Sequence, residues 1–349
     1  MDRSAIWEFM ERFVDMAADA ATLFTLAVAD RSGVLGELAD GNPRTVGEVA
    51  AGGFDERYVA EILGQLTTAG VLEYEPTDGT FTLPPERGAV IADDTSPYSM
   101  TGWLDMLPTA SLFIDDVARC VREGGGVPPS AYPDRMVRAV DRANSPGMRI
   151  LLTRRWLPAM PDVVARLESG ARVADIGCGA GTAVLTMAAA YPNSTFVGYD
   201  IDTRAVTEAR ERAANTKLGN VTFEQRGVDE LPIDPPFDLI TSFDVVHDLA
   251  DPLAGLERIR SALSSDGVFL MMEPAVASKL EDNTEPRVAL LYGVSLLYCM
   301  TQSLAQGGVG LGTAWGPDAA EDLCRRAGFT RFRRLDIDNP FSAFFEVRS

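Results

Sequence analysis

The chain has 349 residues, of which 46% are hydrophobic, enough for about two to three domains. Its 51 acidic residues outnumber its 31 basic residues, and the net charge of −20 argues against nucleic acid or an anionic membrane surface as partner. The four cysteines form no C-x-x-C pair, so we expect a reduced, cytoplasmic setting and no metal site. The N-terminal run lacks a signal-peptide core, and no apolar stretch of about 18 residues suggests a membrane span.

Residues 4–30 carry apolar side chains at helical spacing, among them Phe9, Phe13 and Leu23. They are more apolar than one solvent-facing helix requires. Two interpretations stay open, a pair of core helices and a dimer interface, because exposed apolar helix faces rarely stay unpaired. We therefore expect a homodimer formed through the N-terminal helices.

The next segment, residues 31–92, reads as two helices and a hairpin. Thr45 and Glu48 have the spacing of a capping box, and Asp55 opens a longer helix. Two short alternating strands then flank Asp78-Gly79, a strong hairpin turn signal. Helix, helix and a two-stranded wing together predict a winged helix.

A winged helix either binds DNA or serves as a structural or dimerising module. Between residues 20 and 92 there are 11 acidic residues against four arginines and no lysine. This surface would repel phosphate, whose contacts supply most non-specific DNA affinity. The charge favours the structural module and predicts no nucleic-acid partner.

Residues 97–169 are predicted to be helical, with breaks at prolines and at a triple glycine. Most aromatic and methionine side chains there are expected to pack in the core. Helices just before a cofactor strand are also well placed to wall a substrate pocket. We name Trp103, Met148 and Arg149 as candidate substrate-binding residues; Arg149 would pair with an acceptor carboxylate or simply lie at the surface.

From residue 171 the pattern alternates strand and helix, which predicts an α/β fold with a doubly wound, Rossmann-like sheet of seven strands. A 44-residue interruption, 273–316, follows the fifth strand, and a helix and a closing hairpin complete the segment. The predicted strands are 171–177, 195–200, 221–224, 237–243, 267–272, 330–336 and 341–347.

The first of these strands runs into Asp175-Ile176-Gly177-Cys178-Gly179-Ala180-Gly181-Thr182. Glycines at such a turn allow a positive φ and a close approach of backbone to ligand. The third glycine comes one position too early for the G-x-G-x-x-G of a dinucleotide site. The D-x-G-x-G-x-G pattern resembles motif I of the class I S-adenosylmethionine (SAM) methyltransferases.

Other candidate residues lie at the carboxyl ends of the predicted strands, where ligands of such sheets bind. Asp175 would hold the α-amino group of SAM through water, Asp200 the ribose hydroxyls and Asp229 the adenine amino group. Phe243 would pack on the adenine ring. The full predicted set for SAM is Asp175, Gly177, Gly179, Gly181, Asp200, Ile201, Gly227, Val228, Asp229, Phe243 and Asp244.

His247 is the only histidine of the chain and follows the fourth strand. Imidazole titrates in the range needed to accept the proton of a methyl acceptor. A purely structural loop histidine is the alternative. We name His247 and Asp248 as the candidate catalytic pair, with Asp248 or Asp244 orienting the ring or stabilising its charged form.

The whole chain resembles the winged-helix class I methyltransferases of small molecules. In the O-methyltransferase branch of that family a His-Asp pair after the fourth strand supplies the general base, and His247-Asp248 has that placement. The runs 279–283 and 298–316 are similar to a bacterial subfamily of SAM-dependent methyltransferases. The resemblance implies SAM as cofactor and divides the chain into a winged-helix dimerisation domain (1–95), a helical linker (96–169) and a SAM-binding domain (170–349).

The interruption 273–316 is apolar and then glycine-rich, which predicts a lid and pocket wall. Tyr298 and Trp315 are its candidate substrate-binding residues, and the apolar lining predicts a hydrophobic or aromatic acceptor. The predicted function is methyl transfer to a small, largely apolar molecule, at an oxygen. The alternatives are a SAM- or ligand-binding transcriptional regulator, and a SAM-dependent fold that catalyses a reaction other than methylation.

Overall fold

The chain folds into two units, Met1–Pro108 and Thr109–Ser349, in a computed structural model that describes residues 1–349. The three-part division expected from the sequence stays a prediction. Each unit has its own apolar core.

The N-terminal unit has the helices and the hairpin that the sequence predicts. Thr45 and Glu48 form the capping box, since the Glu48 carboxylate accepts the Thr45 N–H at 2.7 Å and the Thr45 hydroxyl accepts the Glu48 N–H at 3.3 Å. Its elements are α1 (Arg3–Ser32), α2 (Val34–Leu38), α3 (Val46–Ala50), α4 (Glu56–Thr68), β1 (Glu73–Glu75), β2 (Thr80–Thr82), α5 (Pro85–Ile91) and α6 (Thr101–Ala110), the last of which runs across the division between the units.

Helix α1 is one continuous helix of 30 residues, so a pair of core helices is not what this run forms. Asp2 caps its start by accepting the Ser4 N–H at 2.9 Å, and Gly33 ends it in the left-handed region with φ 92°. Nearly all of its first 21 residues are exposed, including Trp7 and Phe13. Only its last turns reach the core of the unit.

The C-terminal unit is a seven-stranded sheet between helices, as predicted. The helices before the sheet are α7 (Ile114–Glu123), α8 (Asp134–Ile150) and α9 (Pro161–Ser169). The elements that follow are β3 (Arg172–Ile176), α10 (Thr182–Ala190), β4 (Thr195–Asp200), α11 (Thr203–Ala214), β5 (Val221–Gln225), β6 (Phe237–Phe243), α12 (Pro252–Ala262), β7 (Leu263–Pro274), α13 (Pro286–Val294), α14 (Met300–Ala305), α15 (Gly316–Arg326), β8 (Arg331–Arg334) and β9 (Ser342–Arg348).

The strand order is β5-β4-β3-β6-β7-β9-β8, with β9 antiparallel to its neighbours. Alternate side chains along the strands enter different apolar clusters: Val173 packs in one, and Ala174 in the other. Because both faces are covered, the strands read as nearly continuous apolar runs. Because β3 pairs in parallel with both β4 and β6, the carboxyl ends of these three strands meet at one edge of the sheet. The order of strands reverses at this point.

The interruption after β7 is mostly helical. Helix α13, a π-helical segment over Ser295–Cys299 and α14 follow one another without a break. The run Pro286–Ala305 is long and apolar enough to cross a membrane, so the prediction that no such stretch exists was wrong. Because several of its side chains are buried within the fold, it is also what a core helix looks like.

Candidate active site

A cavity of about 520 Å³ opens at the carboxyl ends of the strands in the C-terminal unit. Its walls come from α8, the glycine turn, the ends of β4 and β6, and α14. Of the predicted residues, those that line it are Gly177, Gly179, Asp200, Ile201, Gly227, Val228, Asp229, Phe243, Asp244, Asp248, Met148 and Tyr298.

The glycine turn lies on one wall in the backbone conformation that its sequence predicts. Gly177, Gly179 and Gly181 have φ values of 66°, 53° and 82°, which side chains rarely tolerate. A Cβ on Gly177 would lie 2.5 Å from the Val245 side chain. Gly181 ends the turn beneath Phe223 and does not line the cavity. The turn is held close to its neighbours and leaves backbone exposed to the cavity.

Asp200, at the end of β4, fixes this turn from the opposite side. One carboxylate oxygen accepts the Gly179 N–H at 2.9 Å, and the other accepts the Asp202 N–H at 2.8 Å. Burial raises the pKa of Asp200 above its ordinary value. Each carboxylate oxygen has a second lone pair, so both can still accept a hydroxyl from a ligand.

Asp175 lies beneath the turn and not in the cavity wall. Its side chain is buried and accepts the Thr241 hydroxyl at 2.6 Å. Burial raises its pKa to about 7, against the lowering effect of that hydrogen bond. The structure therefore places Asp175 as a support of the turn, behind the residues that face a ligand.

The loop after β6 begins with Asp244, the one residue other than glycine with a positive φ, at 58°. Such a backbone is strained for a side-chain-bearing residue and is concentrated at functional sites. Burial raises the pKa of Asp244 to about 7, with the nearby His247 opposing the shift.

His247 is buried behind the cavity wall, with 2% of its surface exposed. Its Nδ1 lies 2.6 Å from a carboxylate oxygen of Glu273, at the end of β7. Glu273 is fixed in turn by the Val246 N–H at 2.9 Å and by the Trp315 indole N–H at 3.0 Å. Burial alone would lower the pKa of His247, but the carboxylates of Asp248 and Glu273 outweigh it and raise that pKa well above its ordinary value.

Asp248 lies between this histidine and the cavity, and Asp248 itself lines the cavity. Its Oδ1 lies 3.4 Å from His247 Nε2, within ion-pair distance, yet this buried atom accepts no hydrogen bond. Cys299 completes a cluster in which the His247, Asp248 and Cys299 ligand atoms all lie within 4.8 Å of one another. No metal site was predicted from the sequence, and neither Glu273 nor Cys299 was among the predicted site residues.

The wall opposite the turn is built from aromatic, apolar and amide side chains. Tyr132 packs edge-on against Tyr298 at 5.0 Å between ring centroids and donates its hydroxyl to Leu297 O at 2.6 Å. Gln302 and Gln306 of the helical run line the same wall. Three of the predicted substrate-binding residues do not line the cavity: Trp103, which belongs to the N-terminal unit, exposed Arg149, and Trp315.

Positive charge is scarce in the cavity. Arg204 and Arg226 are the only cationic side chains that line it. Arg204 donates to both carboxylate oxygens of Asp202 and to two backbone carbonyls. Arg226 donates to Glu224 and to the Glu230 carbonyl. Both guanidinium groups are thus neutralised within the protein.

Comparison with known families matches two segments of the chain. Residues 167–305 match a family described as a methyltransferase domain. Residues 20–93 match a family described as an Rv2258c-like winged HTH domain. The second match confirms the predicted winged helix, and the first covers most of the predicted SAM-binding sheet.

Known relatives cover parts of the chain, and solved structures cover nearly all of it. Trans-aconitate 2-methyltransferase of Methylobacterium nodulans is 34% identical over 115 residues, 32% of this chain and 43% of that protein. The chain thus spans about two-fifths of the length of this relative.

Among solved structures, human N-acetylserotonin methyltransferase in complex with SAM has a TM-score of 0.72 at 21% identity, over 100% of this chain and 99% of that one. An O-methyltransferase from neocarzinostatin biosynthesis, in complex with S-adenosyl-L-homocysteine and 1,4-dihydroxy-2-naphthoic acid, has a TM-score of 0.64 at 23% identity, over 94% and 96%. At these identities the likeness concerns the fold.

Proposed function

We propose that this chain, which carries a methyltransferase domain and an Rv2258c-like winged helix-turn-helix domain, transfers a methyl group from SAM to an oxygen of a small, largely apolar molecule. The observation that carries the proposal is one cavity that gathers the glycine turn and the carboxylates at the ends of successive strands. A constellation of this kind is far more specific than any one of its members.

The residues of the cavity fit SAM. Asp200 keeps a free lone pair on each oxygen for the ribose hydroxyls, and Asp229 offers a carboxylate for the adenine amino group. A Cβ at Gly227 would lie 2.4 Å from the Asp229 carboxylate, so only glycine leaves that carboxylate in place. SAM, when bound, supplies a methyl group on a sulfonium sulfur that is open to in-line displacement.

The residues of this chain would supply orientation and a proton acceptor. Asp248 faces the cavity, and His247 lies behind it with Glu273 on the far ring nitrogen. We propose that this pair takes the hydroxyl proton of the acceptor, with the Asp248 carboxylate at the cavity surface as the accepting group and His247, whose pKa is raised, as the charged partner behind it. The orienting carboxylate is then Glu273, a residue outside the predicted pair.

The acceptor we propose is neutral and aromatic or otherwise apolar. The wall around Tyr132 and Tyr298 offers flat apolar contacts, and the two lining arginines are already paired. A carboxylate on the acceptor would therefore meet no free cation in the cavity.

We also propose that the chain is a cytoplasmic homodimer that does not use its winged helix on DNA. The exposed apolar side chains of α1 support self-association, and four free cysteines support a reducing compartment. The arginines at positions 31, 44, 57 and 87 are all ion-paired with nearby carboxylates. Few positive charges are left for phosphate, which speaks against the regulator alternative.

Two measurements test the proposed function. Calorimetry should show SAM binding that Asp200→Ala weakens by about 1–3 kcal/mol, because buried hydrogen-bonding groups lose their partner. Asp322→Ala, an exposed carboxylate on α15, serves as the control and should bind SAM as the parent chain does. Unchanged affinity in Asp200→Ala would refute the ribose assignment.

The second measurement is a screen of neutral phenols and of matched carboxylic acids with isotope-labelled SAM, read by mass spectrometry. Label on the oxygen of a neutral acceptor is the expected result. Consumption of SAM with no labelled acceptor would favour the alternative of a non-methylating reaction.

A further inference from the structure

Three potential metal ligands meet beside the cavity, although the chain brings them from distant segments. His247 and Asp248 follow β6, and Cys299 lies in the π-helical segment between α13 and α14. We propose that His247, Asp248 and Cys299 form a binding site for a soft divalent transition-metal ion of the zinc or cobalt class.

The distances in the cluster fit a tetrahedral ion. His247 Nε2 and Asp248 Oδ1 are 3.4 Å apart. Two such atoms bound to one tetrahedral zinc ion would be about 3.3–3.5 Å apart, given bonds of about 2.0–2.2 Å. The Cys299 sulfur lies with them inside a 4.8 Å limit, so small side-chain rotations complete a three-ligand site.

The His247 ring is oriented by a neighbouring carboxylate, as is usual for metal-binding histidines. Nδ1 is engaged by Glu273, which leaves Nε2 as the nitrogen that faces the other ligands. Glu273 itself is fixed by the Trp315 indole and the Val246 N–H. A carboxylate behind the ligating imidazole sets its tautomer and orientation in many metal sites.

The Asp248 Oδ1 atom is a second observation that favours a bound ion. Oδ1 is buried and has no partner with hydrogen-bond geometry, with His247 Nε2 3.4 Å away, although a carboxylate oxygen removed from water normally has a donor. An ion between Oδ1, Nε2 and the sulfur would satisfy it.

The ligand types select the kind of ion. A thiolate and an imidazole favour zinc, cobalt or iron, whereas magnesium and calcium prefer oxygen ligands. Three protein ligands leave a fourth position open, as in catalytic zinc sites. Of the three ligands, Asp248 is the one that lines the cavity.

An ion here has a consequence that rests on the proposed function. The ion would occupy His247 Nε2 and Asp248 Oδ1, the two atoms that face each other in the proposed proton-accepting pair. Binding would release the thiol proton, and any proton on Nε2, to solvent. Metal binding and proton acceptance therefore exclude each other, and the metal-bound chain is the inhibited one.

Titration of the full chain with Co²⁺, after removal of metal and of any purification tag, tests the site. We expect saturation at one Co²⁺ per chain, with visible bands of four-coordinate cobalt and a near-ultraviolet thiolate-to-cobalt band. Excess Zn²⁺ should remove both. Cys299→Ser should lose the thiolate band, and Glu273→Gln should weaken Co²⁺ binding by about 10–100-fold.

Cys324→Ser is the matched control, because Cys324 is equally buried but lies outside the cluster. It should keep both bands. If Cys299→Ser fails to fold, Asp248→Asn must lose affinity instead. Absence of stoichiometric cobalt uptake, or an unchanged thiolate band in Cys299→Ser, overturns the site. SAM calorimetry on metal-free protein is unaffected by either result, so failure of this site and failure of the proposed function are distinguishable.

Discussion

The carboxyl groups of Asp175, in β3, and of Asp200, at the end of β4, differ in what they contact. Asp200 faces the cavity, while Asp175 is buried under the glycine turn with its pKa raised from 3.8 to about 7. The folded chain therefore binds the Asp175 proton more tightly than the unfolded chain does. The stability that this proton contributes is full below pH 3.8 and is lost as pH rises through about 7.

Asp175→Asn should remove this pH dependence, because the amide stays neutral and its oxygen still accepts the Thr241 hydroxyl. At about 1.36 kcal/mol for each pH unit between the two pKa values, the upper limit of the gain is roughly 4 kcal/mol at pH 8. Urea unfolding at pH 5 and pH 8 measures it. A variant that gains nothing at pH 8 relative to pH 5 would contradict the buried-acid assignment.

His247→Ala tests the proton-accepting pair. We expect turnover to slow by roughly 10²–10⁴-fold, because an acid–base group is lost, while SAM affinity stays nearly intact. Single-turnover methylation and SAM calorimetry separate the two quantities. Full residual turnover would leave orientation of the reactants as the only contribution of the protein.

Among individual residues, those that lie within or beside a recognisable motif could be predicted from the sequence. Asp200 ends β4 and His247 follows β6, two strands that could be placed from their apolar runs. The roles of Glu273 and Cys299 could not be predicted from the sequence, because each residue contacts His247 only after distant segments are brought together by sheet pairing and helix packing. A charged residue at the end of the apolar run before Pro274 was the one available signal for Glu273.

The elements themselves were predictable where periodicity was clean. Strands β4 and β6 have the predicted bounds, while β7 begins four residues earlier and ends two residues later than predicted. The extra residues of β7 are held by pairing with the strands on its two sides. These strands are distant in sequence, so the local residue pattern does not predict the added length of β7. The glycine-rich run after α14 was predicted to be a hinge or a loop, and its packing gives a test between them.

Gly308 should be far less tolerant of substitution than Gly293 in the same interruption. A Cβ on Gly308 would lie 2.4 Å from the Ala250 Cα atom, whereas one on Gly293, inside α13, would meet nothing within 4 Å. Gly308→Ala should destabilise the chain by about 1–3 kcal/mol through overpacking. Gly293→Ala should be neutral or stabilise by up to about 1 kcal/mol. Equal unfolding midpoints for both variants would show that the run is a mobile hinge.

At the scale of the whole molecule, α1 presents a set of exposed apolar side chains. Trp7, Phe9, Phe13 and Val14 are each exposed by 60% or more. The double substitution Trp7→Glu and Phe13→Glu should convert the proposed dimer to monomer, because two charges on each chain would be buried in the interface. Light scattering after size exclusion measures the mass. Val121→Glu, on exposed α7, is the control, and a double variant that keeps the parent mass rules out this interface.

The length of α1 has a consequence for how the protein is made. At about 1.5 Å per residue, a helix of 30 residues is roughly 45 Å long. Helix α1 is synthesised before every other element described. Its exposed apolar side chains, such as Trp7 and Phe13, are not buried by other residues of the same chain. Two nascent chains on one messenger RNA are the nearest source of that cover. In the proposed homodimer a second copy would cover α1, and we expect the helix to depend on chaperones or on a neighbouring ribosome until that pairing occurs.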